Sequence, residues 1–157
     1  MATDYTRHPT DILPLPQLAG YGYKRNSGTV RVKMASGRVR NRRKWWNAPA
    51  DTSLTWRFSD AEAELFEGWV QQVLEGGAVT FVIPIKTPAG LIDHTCMFTD
   101  DYDAKCLAPA LWEYTVTAQI EELKLLDDDV TKGVMDIGVA VDDLESLIDH
   151  IETNVNE

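Results

Sequence analysis

Residues 112–123 read WEYTVTAQIEEL, and their strict alternation decides the fold. Successive side chains of a strand point to opposite faces. Trp112, Tyr114, Val116, Ala118 and Ile120 therefore share one face, and Glu113, Thr115, Thr117, Gln119 and Glu121 the other. One dry face and one polar face are what packed antiparallel sheets require. Working outward, AVTFVIPI (78–85), the turn TPAG and LIDHTCMF (91–98) read as a hairpin, and SLTWRF (53–58) as a further strand. Between them lies SDAEAELFEGWVQQVLEGG (59–77), which predicts a helix over 59–75. Ser59 is its N-cap, and Glu62, three residues on, completes a capping box. Leu65, Phe66, Trp69, Val70 and Val73 recur at helical spacing, and Gly76-Gly77 ends the run. The expected fold is mostly β (α+β): an antiparallel β-sandwich over residues 29–126 with one packed amphipathic helix, followed by a C-terminal helical extension.

The 157 residues suffice for one domain with a real core plus an appendage. Their charge is unevenly placed. Residues 1–57 carry +8 and residues 58–157 carry −18, within a formal total of −10. Such asymmetry points to a head-to-tail electrostatic arrangement or to a charged partner. No apolar run approaches the ~18 residues of a membrane span, and the first twenty residues lack the basic and apolar regions of a signal peptide. Two cysteines are too few for a disulfide scaffold, so the expected compartment is a reducing cytoplasm. Residues 1–28 hold Pro9, Pro14 and Pro16 with Gly20, Gly22 and Gly28. They predict an extended arm, apolar enough at ILPLP and YGY to lie on a neighbour.

Gly37 to Trp46, GRVRNRRKWW, has five basic residues among ten and ends on two tryptophans. With TVRVKM (29–34) it predicts a hairpin about ASGR. A two-residue Ser36-Gly37 loop would pair Met34 with Val39, Lys33 with Arg40 and Arg31 with Arg42. One face would then carry Arg31, Lys33, Arg38, Arg40, Arg42 and Lys44, and the other Val30, Val32, Met34 and Val39. Like charges set opposite each other destabilise a sheet, so a cationic face of this kind expects an acidic surface on an adjacent subunit. A three-residue loop would mix the faces.

Past the acidic DDD (127–129), Val134, Ile137, Val141, Leu144, Ile148, Ile151 and Val155 are spaced alternately by three and four. This a/d stripe in an acidic helix over 127–157 suits pairing with other copies or with a partner helix, and isoleucine at d positions shifts preference towards trimers. An amphipathic helix lying on its own domain is the plainer alternative.

Candidates for chemistry are few. His94, Cys96 and Cys106 alone have metal-ligand character, and structural zinc normally takes four ligands, so no metal and no cofactor are expected. The carboxylates of TDDYD (99–103) suit a turn better than a cation site. Phosphate loops and nucleophile elbows are absent from the sequence, and no catalytic residue is expected. Four of the five tryptophans sit where a core needs bulk. The basic, aromatic hairpin could bind single-stranded nucleic acid, but the acidic remainder and the lack of any RNA- or DNA-binding signature argue against it.

The order of features from 13 to 123 resembles small tail proteins of tailed bacteriophages, the M-type minor tail proteins and distal-tail-like β-sandwiches. It is carried by LPLP, YGY, SGRVRNRR, WRFSDAEAELFEGWVQQVLEGGAVTFVIP, AGLIDHTCMF and LWEYTVTAQIEEL. The matching positions are Trp56, Phe66, Trp69, Gly76-Gly77, Phe81 and Trp112 to Glu121. The resemblance implies a non-enzymatic structural subunit of the virion, made in the host cytoplasm, forming a ring near the tail tip that joins the tail tube to hub or fibres. Its partners would be copies of itself, as trimer or hexamer, and other tail proteins, with no small-molecule substrate and no membrane. A head–tail connector, a nucleic-acid-binding module and a host-surface binding module are the alternatives. Residues 134–155 lie outside the resemblance.

Overall fold

The computed structural model describes residues 4–137 of the chain. The chain divides into two compact units, Met1–Leu123 and Lys124–Glu157. The first holds strands β1 (Tyr23–Arg25), β2 (Thr29–Lys33), β3 (Val39–Arg43), β4 (Ala50–Phe58), β5 (Phe81–Thr87), β6 (Gly90–Phe98), β7 (Asp103–Ala108) and β8 (Leu111–Ile120), with helix α1 (Asp60–Gly68) between β4 and β5. The second holds α2, Asp128–Ile137, within which Val134 and Ile137 fall. Val141, Leu144, Ile148, Ile151 and Val155 of the a/d stripe lie outside the described residues.

The fold is mostly β with antiparallel pairing and one packed helix, as the sequence predicts. Six strands form a forked sheet in the order β1-β4-β8-β6-β5, with β7 also on β8. The centre is β8. It pairs with β4 from Ala50↔Ile120 to Phe58↔Trp112. Its opposite edge is shared, Ala118–Ile120 meeting β6 and Leu111–Thr115 meeting β7. Tyr114, Val116, Ala118 and Ile120 are buried, as the alternation requires, and lie opposite buried Trp56, Leu54, Thr52 and Ala50.

α1 closes the core over this face. Ser59 N–H donates to the Glu62 carboxylate at 2.8 Å, the return half of the capping box, which is present, and Ser59 Oγ–H donates to the same carboxylate at 3.0 Å. Two further bonds tie the helix to β8: Tyr114 Oη–H to Glu67 Oε1 at 2.7 Å and Trp112 Nε1–H to Asp60 Oδ1 at 2.7 Å. Phe66, fully buried, has Phe58, Trp56 and Tyr114 within 5.0–5.3 Å of its ring centroid. Burying one such side chain is worth about 1.5–3 kcal/mol.

The predicted helix face needs one correction. After Gly68 the chain makes a π-helical turn, Trp69–Val73, closed by Leu74 N–H to Trp69 O at 3.1 Å. A wider turn rotates the residues beyond it about the helix axis, which brings Leu74 into the core, fully buried; Leu65, ahead of the turn, is 42% exposed and lies off the buried face. The chain leaves through Glu75, Gly76 and Gly77, all with left-handed φ of 50°, 70° and 95°, which is why two glycines stand there.

The N-terminal arm is also corrected: it is built into its own domain. His8 N–H reaches Val82 O at 2.8 Å and Val82 N–H reaches Thr6 O at 3.2 Å, so the arm covers the outer edge of β5. Pro84, with no N–H to offer, sits further along that edge. Leu13 is buried, Gln17 N–H donates to Thr55 O, and β1 pairs with β4. Apolar burial outweighs the conformational freedom that proline and glycine suggest.

Candidate assembly interface

The hairpin β2–β3 stands apart from the main sheet as a separate two-stranded pair. Its loop is Ala35-Ser36-Gly37, three residues long. Gly37 N–H donates to Met34 O at 2.9 Å and Met34 N–H to Arg38 O at 2.9 Å. Gly37 has φ 78°, the left-handed residue that such a turn needs. The register is therefore Lys33↔Val39, Val32↔Arg40, Arg31↔Asn41, Val30↔Arg42 and Thr29↔Arg43.

This overturns the expected single cationic face. Arg38, Arg40 and Arg42 share a face with Val30, Val32 and Met34, whereas Arg31 and Lys33 share the other with Val39, Asn41 and Arg43. Lys44 lies beyond β3. The physical reason is legible in the pairs: within the ladder Arg31, Lys33, Arg40 and Arg42 each stand opposite an uncharged side chain. The two-residue register would have set Arg31 against Arg42 and Lys33 against Arg40, which costs several tenths of a kcal/mol, roughly, per pair.

Neither face is covered. Every residue from 29 to 47 is exposed, Val39 at 61% and Trp46 at 79%. An isolated two-stranded hairpin is marginal in water. Its base is firm, however. Gly28 O accepts from Lys44 N–H at 2.7 Å and Trp45 N–H at 3.1 Å, and a Cβ on Gly28 would stand 2.9 Å from Trp45 O, so only glycine fits. The Arg43 guanidinium lies 4.6 Å over the Trp46 ring and Lys44 Nζ 5.3 Å over Trp45. These tryptophans are solvent-facing, so three of the five, not four, serve the core: Trp56 and Trp69 are buried and Trp112 partly so.

A second surface was not foreseen from the sequence. Between the arm and α1 runs a groove of about 860 Å³. Leu65, Trp69 and Val73 line it along the helix, with Tyr5 and Ile12 from the arm. Asp4 and Asp11 on the arm and Glu64 on the helix bring negative charge to it. Arg7, also in its lining, is paired with Asp93 at 2.7 Å. Tyr5 is 69% exposed and Ile12 64%. Trp69 Nε1–H donates to Tyr5 O at 2.9 Å, fixing arm to helix. Beneath lies His8, fully buried, stacked on Trp56 at 6.2 Å and edge-on to Trp69 at 5.7 Å. Neither of its ring nitrogens has a hydrogen-bond partner among the described residues, and burial pushes its pKa down to about 4.

The metal-ligand candidates are dispersed. Cys96 is buried opposite Phe81, and desolvation pushes its thiol up to about 12. His94 is buried, with Nδ1 2.8 Å from Ile92 O. Cys106 is exposed on β7. Among the described residues no three His, Cys, Asp or Glu side chains gather as metal ligands would.

No protein-family model matches the chain, and no curated protein matches it. Among solved structures it is similar to a chain from the tail of an empty GTA particle, computed with helical refinement in C6 symmetry. The TM-score is 0.44 and the identity 17%, covering 76% of this chain and 96% of that one.

Proposed function

We propose that the chain is a structural, non-enzymatic subunit of a bacteriophage tail, a tail-tip ring or minor tail protein that joins the tube to hub or fibres. One observation carries this reading: a hairpin with valines and tryptophans exposed on a cationic frame, and no cover for either face. Such a surface costs stability in the lone chain and is accounted for if a neighbouring subunit covers it. The sequence resemblance supplies the kind of assembly. The particle-tail structure, at its TM-score, bears none of the weight. In this reading Arg31, Lys33, Arg38, Arg40, Arg42 and Lys44 contact an adjacent subunit. The stripe from Val134 to Val155 joins copies of the chain, as trimers or hexamers, or engages another tail protein.

The test is the mass of the purified chain by light scattering, with electron microscopy of whatever forms. Rings or tubes in the wild type, lost in Arg40→Glu/Arg42→Glu while the domain stays folded, are the expected result. Assembly unchanged by that pair of substitutions sinks the reading. The stacked Arg43–Trp46 pair, in solvent, favours a second reading as a single-stranded nucleic-acid binder. It requires oligonucleotide binding that falls steeply as salt rises.

A further inference from the structure

We infer that the groove between the N-terminal arm and α1 is the receptor for the β2–β3 hairpin of a second copy. The inference rests on the hairpin being a subunit contact, and adds the surface that it meets. Three observations fit the two together. The hairpin face bearing Val30, Val32 and Met34 presents an apolar row about 13 Å long, since alternate strand residues advance ~6.7 Å. Leu65, Trp69 and Val73 form a row of comparable length along the groove, at most about 12 Å, since the α-helical rise is ~1.5 Å per residue and the wider π turn rises less. Charge is complementary as well: Arg38, Arg40 and Arg42 flank the apolar row on the hairpin, and Asp4, Asp11 and Glu64 flank the groove. Finally, Leu65 sits on the helix at 42% exposure, an apolar side chain that its own fold leaves without cover.

The hairpin does not fill the groove of its own chain, because both its faces are exposed there. Donor and receptor are thus different surfaces, each present once per chain, and the contact is heterologous. Copies add head to tail and close as a ring or continue as a tube. A phosphate backbone would be repelled by the acidic groove, so the occupant of the groove is a cationic protein surface and not nucleic acid.

The experiment uses two full-length variants in analytical ultracentrifugation. Arg40→Ser/Arg42→Ser disables the donor and keeps the groove. Asp11→Lys/Glu64→Lys disables the receptor and keeps the hairpin; both its positions are exposed, so folding is unaffected. Each alone is expected to self-associate on the order of tenfold or more weakly than wild type. Mixed, they should regain association at one to one, one intact hairpin in one intact groove, with no further growth through this contact. If the donor variant loses association while the receptor variant assembles as wild type, the groove is wrong and the hairpin contact survives. Two impaired variants that do not pair when mixed overturn the head-to-tail match. Wild-type assembly in both overturns the hairpin contact itself. A wild type monomeric up to its solubility limit, with or without oligonucleotide binding, overturns both.

Discussion

Titrating His8 should loosen the domain under mild acid, and the size of the effect comes from where the ring lies. His8 is packed among Trp56 and Trp69 with no hydrogen-bond partner for either nitrogen among the described residues. Burial disfavours the charged ring, lowering its pKa from 6.5 to about 4. The folded state therefore binds fewer protons than the unfolded chain between those values, and stability rises with pH through that window. The contribution is fully present above the unfolded pKa and is lost as pH falls towards the folded one. From pH 7 to pH 5 the two values remove about 2 kcal/mol, a large share of a typical domain's stability. His8→Phe keeps a ring of similar shape and cannot take a proton. Urea unfolding of wild type and variant, followed by tryptophan fluorescence, isolates the effect. All five tryptophans lie in the first unit, and the carboxylates that titrate in the same range are common to both proteins. The stability gap should move by about 2 kcal/mol in favour of the variant at pH 5 relative to pH 7. Parallel pH profiles for the two would refute the reasoning.

The same packing sets further expectations. Phe66→Ala empties the centre of the aromatic cluster and should cost about 3–5 kcal/mol in urea unfolding; a loss below ~1 kcal/mol would show that the cluster is not the core. Ser59→Ala breaks the capping box and should cost about 1 kcal/mol by the same assay. In the native chain a thiol reagent should modify Cys106 promptly and Cys96 only after denaturation, read by mass of the cysteine peptides. Gly28→Ala forces Trp45 O away and should speed amide exchange across 29–43 while leaving β4 protected.

Much of this was legible in the chain. The alternation of 112–120 gave the central strand, because each face of β8 meets a different environment. The capping box gave the start of α1, because it is a local bond between Ser59 and Glu62. What escaped depends on geometry that pattern does not encode. The π turn at Trp69–Val73 brings Leu74 into the core, and an ideal helical period has no place for it. The hairpin register turns on whether the loop holds two residues or three, and ASG serves either; one residue moved every arginine of β3 to the other face. β7 is held by its ladder to β8 with every side chain exposed, so it carries no apolar alternation to read. The groove needed the arm to fold back on α1, a long-range contact between residues such as Tyr5 and Trp69.

The base of the hairpin has a consequence for how its size can vary. The chain departs and returns at Gly28 and Lys44, joined there by backbone bonds, while Asn26 N–H to Pro49 O closes the step below. The remaining strands thus sense only that the two ends meet. Two residues inserted into each arm would advance the tip by about 7 Å and keep each side chain on its present face. One residue in each would advance it half as far and exchange the faces. Related chains could in this way differ in the distance they span to a neighbour, in even steps, with the sheet that carries them unaltered.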